Sequence, residues 1–274
     1  MQGIAPAFQR GGHQVGCSML FKRQFGVAVN LASQLKTWPR APKSIRWANP
    51  ENHLSMLQKG EIGQFRIGMG SGPGAMLMTP MLMLMGTHYP RAHIDISRGS
   101  TVLLVQALRE RFLDALILDI RSLQPSFDLK VDAITEMAGA FMCRAGHPLA
   151  KKRSVPFSML RGYPIASTPL SDEVARILVE RYGPQAHFDE LVNLRSEEIS
   201  CLLDVVRKSD AVVLTIRASA PNLVELPISP PLNATARFGL VTMAARTEPL
   251  LLDKVRALMQ DILKDSCATL AKRY

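Results

Sequence analysis

The run G-E-I-G-Q-F-R-I-G-M-G, residues 60–70, opens the stretch that decides the fold, and L-D-A-L-I-L-D, residues 113–119, closes it. Between them lie Ser71-Gly72-Pro73-Gly74, a Met/Leu run ending at Tyr89-Pro90, the alternating segment Ala92 to Ser97, and an amphipathic run from Ser100 to Leu113. The order reads strand, helix, strand, helix, strand. Short apolar strands alternating with longer helical runs imply parallel pairing through crossover helices. Ligands of such sheets sit outside the carboxyl ends of the strands. The stretch therefore predicts one wall of a small-molecule cleft.

Within this stretch, Gly70 to Gly74 predicts a tight turn with positive φ where needed. Ser71 is a candidate helix N-cap and Pro73 suits the first turn. A helix start there would offer free N–H groups to an anion, or be an ordinary cap. Ser100 and Thr101 are caps or ligand donors at the end of the second strand. The following helix should lay Val102, Val105, Leu108, Arg109 and Phe112 against the sheet. Asp119 falls at the mouth of the third strand. The methionines 76, 78, 81, 83 and 85 could suggest thioether ligands for a soft metal. No Cys or His lies at ligand spacing within the run, so flexible core packing is the reading.

Working outward, the second half repeats the alternation. Strands are expected at 129–135, 139–143, 163–168, 188–194, 210–216 and 238–243, and helices at 155–160, 172–182, 196–206 and 248–263. Ser167 and Thr168 end one strand, and Ser196 opens a helix whose acidic first turn suits its dipole. His147, before Pro148, has no catalytic partner nearby in sequence and reads as structural. The fold class is α/β, with two Rossmann-like lobes and a cleft between them.

The chain of 274 residues is 47% hydrophobic, ample for a buried core. No apolar run reaches the roughly 18 residues of a membrane span, and the N-terminus has no secretory apolar region. Four scattered cysteines, 17, 143, 201 and 267, form no zinc or redox pair and read as reduced, mostly buried thiols of a cytoplasmic protein. Eight basic residues of the first 60 face Glu51 alone, so seven of the ten net positive charges sit at that end. This suggests a nucleic-acid contact or a solvated basic tail.

The motifs together resemble those of the LysR-type transcriptional regulators. They are Gly60-x-x-Gly63-x-Phe65-Arg66-Ile67-Gly68, Tyr89-Pro90, Ile94-x-Ile96-x-x-Gly99-Ser100, Gln106-x-Leu108 and Leu113-Asp114-Ala115-Leu116-Ile117. His147-Pro148-Leu149, Tyr163-Pro164-Ile165, Ser209-Asp210-Ala211 and Phe238-Gly239-Leu240-Val241 continue the order. The resemblance implies a periplasmic-binding-protein-like pair of subdomains over residues 61–265. Subdomain I would be 62–122 plus 226–265, and subdomain II 123–225. It implies a small inducer, often an organic or aromatic acid, held by Ser71, Ser100, Thr101, Ser167, Thr168 and Ser196. No cofactor or metal is expected. The resemblance also implies dimers or tetramers.

The resemblance places residues 1–30 as the remnant of a winged helix-turn-helix and 31–60 as a linker helix region. Gln9, Arg10, Lys22 and Arg23 would meet DNA. This end departs from the family pattern: Pro6 and Gly11-Gly12 fall within the recognition helix, two helices that normally precede it are missing, and Pro39, Pro42 and Pro50 interrupt the linker. The sequence therefore reads as a truncated or degenerate member with weak, mostly electrostatic DNA binding.

Four functions compete. They are a ligand-responsive regulator; a ligand-binding module without its own DNA binding, joined to full-length relatives in mixed oligomers; an exported solute-binding protein; and an enzyme. The absent secretory region and Phe21-Lys22-Arg23 weigh against the third. No nucleophile, base and orienter converge in the sequence, which weighs against the fourth.

Overall fold

The structure, a computed structural model, describes residues 63–264. All lie within one compact unit, Asn49–Tyr274. The readings placed on Gln9, Arg10, Lys22, Arg23 and the 31–60 linker fall outside the described residues.

Strand β1 (Gly63–Met69) leads through Gly70 directly into helix α1 (Ser71–His88). Strand β2 (Ala92–Arg98) pairs parallel with β1 on one side and β3 (Ala115–Asp119) pairs parallel on the other. Helix α2 (Thr101–Arg109) makes the crossover between β2 and β3. Strand β4 (Leu129–Cys143) begins as an antiparallel partner of the late strand β11 (Thr235–Met243). From Gly139 onward it pairs instead with β8 (Val212–Ile216). Strand β6 (Ile165–Ser167) follows β8, and the short β7 (Leu194–Arg195) lies at that edge; β9 (Val224–Glu225) pairs with the end of β4, and β5 (Val155–Pro156) pairs with β10 (Ile228–Ser229) in a separate two-stranded sheet. The order β2-β1-β3-β11-β4-β8-β6-β7 thus contains two parallel-stranded lobes joined through β4.

Helices cover both faces of each lobe. In the first, Leu77, Met81 and Met85 recur every four residues along α1 and pack with Phe65, Ile67 and the last helix, α6 (Leu252–Ile262). Leu104, Val105 and Leu108 of α2 fill the opposite face. In the second lobe, Leu178 and Tyr182 of α3 (Asp172–Tyr182) pack on one side. After the short α4 (Phe188–Leu191) comes α5 (Ile199–Lys208), whose Ile199, Leu202, Leu203 and Val206 pack on the other.

Several local expectations need correction. The α2 stripe is Leu104, Val105 and Leu108, while Val102 and Phe112 are exposed. The helix ends at Arg109 and the chain reverses at Arg111, with φ of 66°, so Phe112 never completes the stripe. Residues 188–194 are not a strand: Phe188–Leu191 is a helical turn, and pairing begins only at Leu194. The two strands expected at 129–135 and 139–143 are one strand. Glu136, Met137 and Ala138 keep partners on β11 across the supposed gap. The helix expected from Ser196 begins at Ile199, so Glu197 and Glu198 precede it and its first turn holds no acid.

Within the Met run, Met81 and Met85 are buried and Met76 and Met78 pack against the same core, whereas Met83 is exposed. Met81 is fully buried, and among the described residues no group of His, Cys, Asp and Glu could hold a metal ion. His147 is buried. Its Nε2 lies 3.1 Å from the Asp210 carbonyl, and Nδ1 accepts the Leu149 N–H. Cys143 is buried, and burial pushes its thiol pKa up to about 11, whereas Cys201 is exposed. Among the described residues no helix is long and apolar enough to cross a membrane.

Candidate functional site

The carboxyl ends of β1, β2 and β3 and the facing ends of the second lobe's strands enclose a cavity of about 190 Å³. That is below the roughly 300–1,000 Å³ of pockets for drug-sized ligands, so it suits a compact molecule. The first lobe supplies the starts of α1 and α2 together with Asp119. The second supplies Thr168 to Ser171, Glu197 and the end of β8. Gly139, where β4 passes from one lobe to the other, and Phe238 of β11 complete the wall.

Ser71, Ser100, Thr101 and Thr168 line this cavity together. Ser71 is not the cap of α1. Gly70 takes that position, at φ −67° and ψ 171°, without any left-handed turn. The glycines serve close approach instead: a Cβ on Gly72 would lie 2.7 Å from the Phe238 ring. The Ser71 hydroxyl donates across the cleft to the Glu197 carboxylate. Ser100 caps α2 by backbone geometry alone, with no hydrogen bond from its side chain.

Ser167 and Ser196 stand apart from the lining. The Ser167 hydroxyl is buried and donates toward the carbonyls of Thr168 and Leu214, at 2.9 and 3.0 Å. The Ser196 oxygen accepts the Glu198 N–H at 3.0 Å and so shapes the turn into α5.

Sequence reasoning passed over the charged frame. Arg98 Nη1 donates to both carboxylate oxygens of Glu198, at 2.9 and 2.8 Å, and its Nη2 donates to the Glu197 carbonyl at 2.9 Å. Arg121 Nε lies 3.2 Å from Glu173 at the start of α3, while Nη2 donates to the Thr235 hydroxyl at 2.9 Å. Both arginines sit on the first lobe and both carboxylates on the second, so each pair spans the cleft. Asp119 accepts the Arg121 N–H at 3.1 Å. Burial raises the Asp119 pKa above the usual carboxylate range, opposed by backbone N–H groups of Arg121 and Arg237. Ser171, at the cap of α3, lines the cavity with 6% exposure and its hydroxyl has no hydrogen-bond partner. Strand-end position places Asp119 at the mouth of β3 without naming it as a ligand contact. Glu197 was hidden by its assignment to a helix that starts later.

Two α/β lobes with ligand-sized space between their strand ends define a small-molecule-binding domain of the periplasmic-binding-protein type. The LysR substrate binding domain matches residues 58–264, and the chain belongs to this family, that of the LysR-type transcriptional regulators. The SDS degradation transcriptional activation protein of a Pseudomonas species is 27% identical over 217 residues, covering 76% of this chain and 70% of its own. Two solved structures share the fold. HinK, a LysR family transcriptional regulator from Pseudomonas aeruginosa, has 15% identity and a TM-score of 0.56, over 74% of this chain and 70% of its own. The C-terminal domain of a "probable LysR family transcriptional regulator" from a Rhodococcus species has 20% identity and a TM-score of 0.55, over 72% of this chain and 99% of its own.

Proposed function

We propose that this regulator senses a small effector in the cavity between its lobes and transmits its occupancy to transcription, without catalysing a reaction. The observation that carries this reading is the convergence of Ser71, Ser100, Thr101 and Thr168 from both lobes on one compact cavity. A ligand held by both lobes favours the closed arrangement over an open one by its differential affinity for the two. Ser167 and Ser196 act as framing residues, fixing β6 and the turn before α5. Effector contact to the organic-acid class is supported by the starts of α1 and α2, which open on the cavity and offer free N–H groups.

The effector-binding domain is taken as 61–265, with subdomain I over 62–122 and 226–265 and subdomain II over 123–225. DNA contact is assigned to Gln9, Arg10, Lys22 and Arg23, in a cytoplasmic homo-oligomer. Two experiments test the reading. Ser100→Ala should weaken effector binding about tenfold while leaving Tm nearly unchanged; unchanged affinity would move the site elsewhere. A salt-dependent DNA-binding assay on the region upstream of its own locus should show a specific excess over non-specific sequence. No such excess would leave the second reading: a ligand-binding module acting through mixed oligomers with full-length relatives.

A further inference from the structure

The charge inside the cavity argues against a simple organic anion. Among the described residues lining it, the charged side chains are Asp119 and Glu197, and no Lys, Arg or His lines it. The nearby cations are already engaged. Arg98 is held by Glu198, and Arg121 by Glu173 and Thr235. A plain carboxylate entering this space would meet two acidic groups with no free cation to offset them. The starts of α1 and α2 each present only about half an elementary charge.

The acidic pair is matched by a second, independent feature. Ser171 is more than nine-tenths buried and is a lining residue of the same cavity, and its buried hydroxyl has no hydrogen-bond partner. Buried polar groups are rarely left unpaired, and one that is calls for an explanation. A ligand donor is one. Asp119 Oδ1 takes the Arg121 N–H and Glu197 Oε2 takes the Ser71 hydroxyl. Each carboxylate still has a second oxygen to offer.

We propose that the effector carries a protonated nitrogen, as an amine or guanidine, that seats against Asp119 and Glu197 with the Ser171 oxygen as a further acceptor. The inference rests on reading this cavity as the effector site. An organic acid that also bears such a nitrogen satisfies both walls. Its carboxylate meets the N–H groups at Ser100-Thr101, and its ammonium meets the carboxylates opposite. A compact molecule fits the cavity's size.

The test uses the full chain, thermal shift and titration calorimetry, and two matched probe pairs: γ-aminobutyrate against butyrate, and putrescine against n-butanol. The nitrogen-bearing member of at least one pair should bind and raise Tm where its partner does not. Asp119→Asn and Glu197→Gln should each weaken that binding about tenfold or more. Ser171→Ala should weaken it less. Butyrate binding as well as γ-aminobutyrate, with sensitivity to Ser100→Ala, would overturn the nitrogen while leaving the effector cavity standing. Amine binding indifferent to Asp119→Asn and Glu197→Gln would place the nitrogen elsewhere and overturn the inference. If it were indifferent to Ser100→Ala as well, the cavity reading would fall with it. No binding by either amine would also overturn it.

Discussion

Arg98, the last residue of β2, is held by Glu198, the cap of α5, through one guanidinium nitrogen bonded to both carboxylate oxygens. The two residues are 100 positions apart and belong to opposite lobes. Their side chains are 20% and 45% exposed, so solvent screens the pair and its direct contribution should be small. A double-mutant cycle with Arg98→Ala and Glu198→Ala should give a coupling of about 0.2–1 kcal/mol, shrinking as salt rises. Urea denaturation would measure it. A coupling of zero would show that other contacts hold the lobes together.

Acid should loosen the same contact. Glu198 is held below its ordinary pKa of 4.5, first by the Ser200 hydroxyl and also by Arg98. A group depressed in the folded state contributes its stability above the unfolded pKa and loses it as pH falls through the folded one. The Arg98→Ala difference in stability should therefore be full above about pH 5 and fade below pH 4.5. Asp128 behaves alike. The Arg109 guanidinium and the Ser126 hydroxyl bring its pKa down to about 2. NMR titration should find that value, and Arg109→Ala should return Asp128 toward 3.8. A wild-type value near 3.8 would mean that the pair does not form in solution.

The two buried serines should part company. Ser167→Ala removes a hydroxyl bonded to the Leu214 carbonyl and should cost about 0.5–1.5 kcal/mol of folding stability. Ser171→Ala removes a hydroxyl with no partner and should be neutral within about 0.5 kcal/mol, or slightly stabilising, in the absence of effector. Thermal melts of the two variants compare them directly. Equal losses would mean that Ser171 has a partner after all.

The methionines of α1 offer a further contrast. Met81 is fully buried against the first lobe's sheet, and Met81→Ala should cost about 2–5 kcal/mol. Met83 is 67% exposed, and Met83→Ala should stay within about 0.5 kcal/mol. Denaturant midpoints check both. A comparable loss at both positions would point to a partner covering the outer face of α1.

Much of the first lobe was legible because its motifs are contacts. Phe65-Arg66-Ile67-Gly68 and Leu113-Asp114-Ala115 lie far apart in sequence, yet Arg66 Nη2 bonds Asp114 at 3.0 Å and the Arg66 N–H bonds the same carboxylate at 2.9 Å. Gly68 lets three leucines close over β1: a Cβ there would lie 2.8 Å from Leu113 and Leu116 and 2.9 Å from Leu104, and these side chains would have to shift. Period and punctuation also placed β1, α1, β3 and α3. They failed in two places: β4 crosses Glu136 to Ala138 without a break because β11 supplies partners there, and Phe188 to Leu191 forms a helical turn whose Asp189 and Glu190 are poor strand residues but suit a helix start. At the site, strand-end serines and threonines could be read from position. The ion pairs could not, since Arg98 and Glu198 meet only after both lobes have formed. Glu197, Asp119 and Ser171 give the cavity its character, and nothing in their spacing marks them as neighbours.

The continuous β4 gives the cleft a mechanical consequence. Between Leu129 and Ala138 it is laddered to β11, with a register shift at Ala133 and Ile134, and Gly139 to Met142 are laddered to β8. One lobe therefore cannot swing against the other on a slack joint at this point. Rotation has to be taken up as added or released twist in a strand hydrogen-bonded to β11 before Gly139 and to β8 after it, as load is carried by a torsion bar. Gly139, where the ladder changes partners, lies on the cavity wall. A molecule resting there would press on the bar at the point where its two halves are gripped separately, and its occupancy would be felt as torque along the sheet.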